Sequence, residues 1–172
     1  MVLRNGIALA IALALAGCTA LSPTGPSAFV KLEPTTGNTT SGTVTLTQKG
    51  SRVFINAKVA GLTPGSHGFH FHEKGDCSSG DGMSTGGHFN PRGKPHASPS
   101  TPERHAGDLP MLVADAAGNA TLVVEVDVIT IGSGDTDVVG RGLIVHKDPD
   151  DFQTQPTGNS GARVACGVVV RS

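Results

Sequence analysis

The sequence predicts an all-β fold, an antiparallel Greek-key β-sandwich or flattened barrel of about eight strands with two long functional loops. Short runs of apolar residues alternate with polar ones, and the composition is rich in glycine (24 residues) and proline (11) while Trp and Tyr are absent. Alternation with a period of two is typical of half-buried strands, and glycine and proline are typical of turns. The same composition argues against a helix bundle.

The clearest strands are those whose apolar residues are spaced two apart. Val44 and Leu46 alternate with threonines. Two longer runs each present one apolar face, made up of Val53, Ile55, Ala57 and Val59 in the first and of Leu122, Val124, Val126 and Val128 in the second. Further strands are expected at 143–146 and 165–170, and glycine-containing turns separate the runs.

Two long segments, at about 73–108 and 147–163, lack any strand pattern. Segments of this length without secondary structure are normally functional or disordered in a compact domain. The first contains three of the seven histidines, His88, His96 and His105. We therefore favour a functional loop.

The N-terminal segment has the features of an export signal. Arg4 provides a positive charge, and residues 7–15 form an apolar run that is too short to span a bilayer as a helix. The run ends in Leu-Ala-Gly-Cys, which resembles the lipobox of bacterial lipoproteins, whose cysteine is acylated and becomes the mature N-terminus. An ordinary signal peptide that happens to contain Cys18 is the alternative.

The residues that follow this cysteine indicate the domain organisation. Residues 19–27 are small, polar and proline-containing, which is typical of a flexible tether. We expect a removed signal peptide at 1–17, a lipid-anchored tether at 18–27 and one domain at 28–172. The protein is then expected outside the cytoplasm, held to a membrane through lipidated Cys18, on the periplasmic side or at the cell surface.

Charge and cysteine content are consistent with an exported domain. The net charge of −1 becomes −2 when the signal peptide with its one positive residue is removed, so nucleic acid is not indicated as a partner. The three cysteines are Cys18, Cys77 and Cys166. In an oxidising compartment two cysteines can pair, and the odd one is the cysteine of the lipobox.

The positions of the histidines indicate metal binding. His70 and His72 are two residues apart on a predicted strand, so both imidazoles project from the same face, although this signal alone is weak. The following loop adds three imidazoles and one carboxylate, which together can complete a tetrahedral zinc site: His88, His96, His105 and Asp108. Any one of them could be a solvated surface residue, but four together favour a site.

Six segments of the chain resemble motifs of the copper,zinc superoxide dismutase family. They are GFHFH at 68–72, GDC at 75–77, GHFNP at 87–91, RHAGD at 104–108, GLIVH at 142–146 and GNSGARVACG at 158–167. The resemblance runs from about residue 28 to 171. Adjacent Asp76 and Cys77, together with the long spacing from Cys77 to His88, resemble the bacterial branch of the family, in which the resemblance leaves monomer or homodimer undecided.

The resemblance implies a role for each matching residue. The copper ligands are expected to be His70, His72, His88 and His146. The zinc ligands are expected to be His88, His96, His105 and Asp108, so that His88 bridges the two metals. Arg163 matches the arginine beside the copper, Asp150 matches an aspartate that links the two sites, and Cys77 and Cys166 match a disulfide pair. His67 matches a position that is not a ligand.

The implied function is disproportionation of superoxide to oxygen and hydrogen peroxide, with one copper and one zinc per subunit as cofactors and with protection of an extracytoplasmic compartment. His88 and Arg163 are the expected catalytic residues, and Lys74 and Lys147 are candidates for attracting the anion. The alternatives are a lipoprotein that stores or delivers copper and a scaffold that metals only stabilise. Loss of Arg163 or of an expected zinc ligand would have favoured one of these two alternatives, but the sequence retains Arg163 and all four expected zinc ligands.

The lipobox generates a first prediction. The variant Cys18→Ser should move the protein from the membrane fraction to the soluble fraction while the activity per molecule is kept, because two or more acyl chains hold a protein stably at a membrane. Wild-type protein should stay in the membrane pellet through a high-salt wash. Unchanged fractionation of the variant would exclude this anchor.

Overall fold

The computed structural model describes residues 25–172, and this part of the chain contains ten β-strands. The strands are β1 Ser27–Pro34, β2 Ser41–Lys49, β3 Arg52–Ala60, β4 Gly65–His67, β5 Phe69–His72, β6 Leu112–Ala114, β7 Ala120–Val126, β8 Gly142–His146, β9 Arg163–Val168 and β10 Val170–Arg171. A 3₁₀ turn at Met83–Thr85 is the helical element of this range. Within it no helix is long and apolar enough to cross a bilayer. The expected signal peptide and Cys18 lie outside the described residues.

The strands pair antiparallel throughout the described range, which confirms the predicted class. One curled sheet has the order β5-β8-β9-β1-β2-β3-β7, with β10 paired to β1 as its eighth strand. The short strands β4 and β6 form a separate two-stranded sheet. Strand β1 connects the two halves of the large sheet, because most of it pairs with β2 whereas Glu33 and Pro34 pair with β9.

The residues of β2 and β3 that the alternation predicted to be buried do lie in the hydrophobic core. Val44 and Leu46 are fully buried, and so are the apolar residues expected on one face of β3, namely Val53, Ile55, Ala57 and Val59. Strand β9 begins at Arg163, slightly earlier than expected. Strand β7 ends at Val126, so the expectation that Val128 continues its apolar face within the strand was wrong.

The reason is a third long connection, at 127–141, that the alternation does not predict. Its Ile129 and Ile131 are buried, so the segment packs on the core without being a strand. The Asp137 carboxylate holds it by accepting hydrogen bonds from the backbone N–H groups of Gly132 (2.8 Å) and Val139 (2.9 Å). Such contacts satisfy backbone groups that a sheet would otherwise pair.

A disulfide fastens the first predicted loop to the large sheet. Cys77 and Cys166 are bonded, with their Cα atoms 5.9 Å apart and a sequence separation of 89, which confirms the expected pair. Closing a loop of that length is worth about 4–5 kcal/mol in the chain-entropy account. Except for the 3₁₀ turn and Arg163, which begins β9, both predicted loops lack helices and strands as expected, and both lie beside β5 and β8.

Candidate metal centre

The centre is built on two neighbouring strands, β5 and β8. In β5 all four residues are buried, with Phe69 and Phe71 in the hydrophobic core and His70 and His72 on the other face. Strand β8 pairs with β5 and ends at His146, where the ladder to β9 shifts its register. The alternation of a strand therefore supplies two imidazoles, and the end of the next strand supplies a third.

Backbone hydrogen bonds place the first loop on the same strand. Phe89 N–H donates to Phe71 O (2.8 Å), Phe71 N–H donates to Gly107 O (3.0 Å), and Gly107 N–H donates to Phe89 O (2.9 Å). Phe89 is buried in the core, which anchors this part of the loop. The residues adjacent to these contacts are His88 and Asp108, so both are carried to the histidine face of β5.

The structure brings every predicted ligand into one of two buried groups within residues 25–172. The ligand atoms of each group all lie within 4.8 Å of one another. The first group is His70, His72, His88 and His146, and the second is His88, His96, His105 and Asp108. These are the two sets expected from the sequence, and His88 belongs to both.

In the first group, hydrogen bonds leave one ring nitrogen of each imidazole free. His70 Nε2 lies 2.6 Å from Asp150 Oδ2. His72 Nδ1 lies 3.0 Å from Gly86 O, and His146 Nδ1 lies 3.3 Å from Gly161 O. The opposite nitrogens are buried without a hydrogen-bond partner in the described structure: His70 Nδ1, His72 Nε2, His88 Nε2 and His146 Nε2.

Buried nitrogens without partners are costly, and a bound cation removes that cost. Hydrogen bonding at one ring nitrogen fixes the tautomer and leaves the other nitrogen as a lone-pair donor. Four neutral imidazoles are a donor set that suits copper. The residues of the first group therefore fit a copper ion.

In the second group, three imidazole nitrogens surround one carboxylate oxygen. Asp108 Oδ1 lies 3.1 Å from His88 Nδ1, 2.9 Å from His96 Nδ1 and 3.5 Å from His105 Nδ1. Ligands about 2.0 Å from a tetrahedral zinc ion are separated by about 3.3 Å, so these distances suit its edges. The other oxygen, Asp108 Oδ2, accepts backbone N–H bonds from Ala97 and His105, each 3.1 Å, which orients the carboxylate. This group fits zinc.

Burial also prepares the first group for metal binding. It lowers the pKa of His88 to about 4, in spite of the nearby Asp108 carboxylate. Burial is also the largest cause that lowers the pKa of each of the other three histidines, His70, His72 and His146. Neutral imidazole is the form that binds a metal through one nitrogen, so near neutral pH the first group does not have to lose the extra proton of an imidazolium before it binds a metal.

Two buried carboxylates, Asp108 and Asp150, place negative charge at the second group, and a nearby positive charge stabilises them. Burial acts to raise the pKa of Asp108, but hydrogen bonds from the surrounding imidazoles outweigh it and lower that pKa. Burial acts to lower the pKa of His96, and its contacts with Asp108 and Asp150 outweigh that effect and raise it to about 9. In the metal-free protein His96 supplies the balancing charge, which a divalent cation supplies instead.

Asp150, which was expected to link the two groups, contacts one imidazole of each. Its Oδ2 contacts His70 Nε2 at 2.6 Å, and its Oδ1 contacts His96 Nε2 at 2.9 Å. Oδ1 also accepts the Phe152 backbone N–H at 2.7 Å, a local turn of the second loop that fixes the orientation of the carboxylate. One buried side chain thus orients one imidazole of each group.

Arg163 lies beside the first group and is tied to the first loop. Its Nη1 donates to Gly82 O and to Thr85 Oγ1, each at 2.7 Å, and its Nη2 donates to Gly86 O at 2.8 Å. The same Gly86 carbonyl accepts the His72 hydrogen bond. Burial, His88 and the Arg163 charge lower the pKa of His72, in that order, which is consistent with a guanidinium close to this imidazole.

The remaining candidates lie outside both groups. His67 is buried, with Nδ1 2.9 Å from His146 O and Nε2 2.8 Å from Thr63 O, so it connects backbone segments as expected of a residue that is not a ligand. Lys74 and Lys147 are exposed. Thr85 was not among the candidates, and its only signal in the sequence is its position three residues before His88 in a glycine-rich loop.

A profile of the family described as copper/zinc superoxide dismutase (SODC) matches residues 40–169, which is most of the chain. The chain belongs to this family. It is also similar to the extracellular superoxide dismutase [Cu-Zn] of Haemonchus contortus, with 41% identity over 136 residues, 76% of this chain and 73% of that protein. The crystal structure of the clock protein EA4 is similar as well, with a TM-score of 0.78, 38% identity, and 86% of this chain and 95% of that chain covered.

Membership of the family establishes the reaction that the protein catalyses. The protein is a superoxide dismutase, an oxidoreductase that acts on superoxide and uses copper and zinc. The two groups of side chains have the donors that these two metals prefer.

The Asp150 contacts generate a second prediction. The variant Asp150→Ala should hold zinc about 10- to 100-fold more weakly, because His96 loses the partner that orients it. Zinc content after dialysis against graded chelator concentrations measures the effect. Asp148→Ala removes an exposed carboxylate from the same loop and should retain zinc like the wild type. Equal zinc retention in all three proteins would contradict the orienting role.

Proposed function

We propose that this superoxide dismutase disproportionates superoxide in an extracytoplasmic compartment, at a copper centre that the His88 imidazole links to zinc. Two superoxide anions and two protons give one oxygen and one hydrogen peroxide. The position of His88 carries the proposal. Its Nε2 belongs to the first group and has no hydrogen-bond partner in residues 25–172, while its Nδ1 lies 3.1 Å from Asp108 in the second group.

Each side chain has a defined task in this proposal. His70, His72, His146 and His88 Nε2 hold copper, which supplies one-electron redox chemistry when bound. His96, His105, Asp108 and His88 Nδ1 hold zinc. The single lone pair of His88 Nε2 would hold either copper or a proton, so this buried atom would carry a proton to the reduced oxygen species only when it is not bound to the metal.

Arg163 binds and attracts the substrate anion in this proposal. A guanidinium has five N–H donors, of which Arg163 uses three on the first loop. Two donors remain for a small anion, and charge-assisted hydrogen bonds to such an anion are strong. Because the net charge of the chain is negative, a local positive charge is needed to attract superoxide.

The extracytoplasmic location rests on three observations. The N-terminal segment has a signal-like run and a lipobox, which support removal of 1–17, lipidation of Cys18 and a tether to residue 27. The Cys77–Cys166 disulfide is typical of an oxidising compartment. The related protein of Haemonchus contortus is named extracellular. The folded domain begins slightly before the expected boundary at residue 28, because strand β1 begins at Ser27 and the Gln48 N–H donates to Pro26 O at 2.8 Å.

Superoxide consumption by copper- and zinc-loaded protein tests the role of Arg163. The wild type should be active and inhibited by cyanide, and Arg163→Ala should lower kcat/KM roughly tenfold or more, within the range of about 10- to 10³-fold that electrostatic attraction supplies. Arg163→Lys should be intermediate because it keeps the charge and loses the planar fork.

Metal content separates this effect from loss of the site, and both variants should retain copper and zinc. Arg52→Ala removes an exposed arginine from β3 and should stay near the wild-type rate. A metal-replete Arg163→Ala variant as fast as the wild type at low ionic strength would overturn the proposed role.

A further inference from the structure

The hydroxyl of Thr85 has an unusual place for a loop residue. Thr85 ends the 3₁₀ turn of the first loop and is fully buried. Its Oγ1 donates to Gly82 O at 2.8 Å and accepts a hydrogen bond from Arg163 Nη1 at 2.7 Å. A hydroxyl has one proton and two lone pairs, so the bond to Gly82 leaves a lone pair aligned for the guanidinium.

The surrounding backbone fixes this hydroxyl in place. The Thr85 N–H donates to Gly82 O at 3.2 Å, and Lys74 N–H donates to Thr85 O at 2.9 Å. A Cβ on Gly142 of β8 would lie 2.9 Å from Thr85 Cγ2, so the missing side chain at Gly142 makes room for the methyl group. A β-branched side chain has a restricted χ1, and this packing restricts it further.

We propose that Thr85 is a positioning residue for the superoxide reaction, in which its hydroxyl orients the Arg163 guanidinium so that the two remaining N–H donors are available to the anion. The inference rests on the proposed role of Arg163. Nη1 has two acceptors on the turn, Gly82 O and Thr85 Oγ1, and Nη2 has one, Gly86 O. Without the hydroxyl, the guanidinium of Arg163 keeps only the carbonyls of Gly82 and Gly86 as acceptors, so its orientation is less restricted.

Loss of the hydroxyl is distinct from loss of the charge. The variant Thr85→Val keeps the branched shape and the packing on Gly142, but one N–H of Arg163 loses its acceptor. The charge of Arg163 stays in place, so long-range attraction of the anion is kept. The expected effect is a lower rate with an unchanged dependence on ionic strength, whereas Arg163→Ala should flatten that dependence.

The experiment uses two matched pairs of full-length, copper- and zinc-loaded proteins that differ by the hydroxyl, wild type against Thr85→Val and Thr85→Ser against Thr85→Ala. In each pair the protein without the hydroxyl should have a kcat/KM lower by about three- to tenfold with equal metal content, as expected for one lost hydrogen bond. If Thr85→Val fails to fold, the serine and alanine pair still gives the answer. Equal rates within the folded pairs would overturn the inference.

Two further readouts separate positioning from a purely structural role. In protein loaded with zinc alone, NMR of the Arg163 side chain should show faster rotation about Nε–Cζ in Thr85→Val than in the wild type. In the Arg163→Ala background, removal of the hydroxyl should cause no further loss of rate, because interacting residues are not additive. An additional loss of the same size would overturn the inference.

The results also distinguish the two levels of the proposal. If Arg163→Ala is slow but Thr85→Val is as fast as the wild type, the positioning role of Thr85 is wrong and the role of Arg163 stands. If Arg163→Ala is itself as fast as the wild type, both roles are wrong.

Discussion

The order of the loop at 73–108 depends on the contacts between the buried Asp108 carboxylate and three imidazole nitrogens. This loop buries only Phe89 and Ala106 among its apolar residues, so the hydrophobic effect contributes little to its order. A buried charge is stable only when it is paired or bound to a metal. The group around Asp108 therefore orders the loop, and the Cys77–Cys166 disulfide attaches the same loop to β9.

The second loop is connected to the first through Asp150, and a glycine makes that connection possible. A Cβ on Gly158 would lie 1.9 Å from Asp150 Oδ1 and 2.5 Å from His96 Nε2, and Gly158 has φ of +66°, which is disfavoured for other residues. Both space and backbone conformation therefore require glycine here. The two groups of metal-binding side chains are consequently connected twice, by the His88 ring that belongs to both and by the Asp150 carboxylate between them.

Much of this arrangement could be predicted from sequence, and the rest depends on contacts between distant residues. Alternation predicted the buried face of β3, and the family resemblance predicted the ligands, which the structure brings together as two groups. The segment 127–141 was missed because its buried residues follow local hydrogen bonds to Asp137 and have no strand period. Thr85 was missed because the partner of its hydroxyl, Arg163, lies 78 residues later in the sequence and reaches the 3₁₀ turn only through the fold of β9.

The central claim is that one imidazole, His88, binds both metals. Electron paramagnetic resonance of protein that carries copper(II) in both groups tests it most directly. An imidazolate that bridges two copper(II) ions couples their unpaired electrons antiferromagnetically. The account predicts that the low-temperature signal falls well below the intensity of two independent spins and that it recovers when zinc replaces copper in the second group. Two uncoupled copper signals of full intensity, with both groups shown to be occupied by metal analysis, would contradict it.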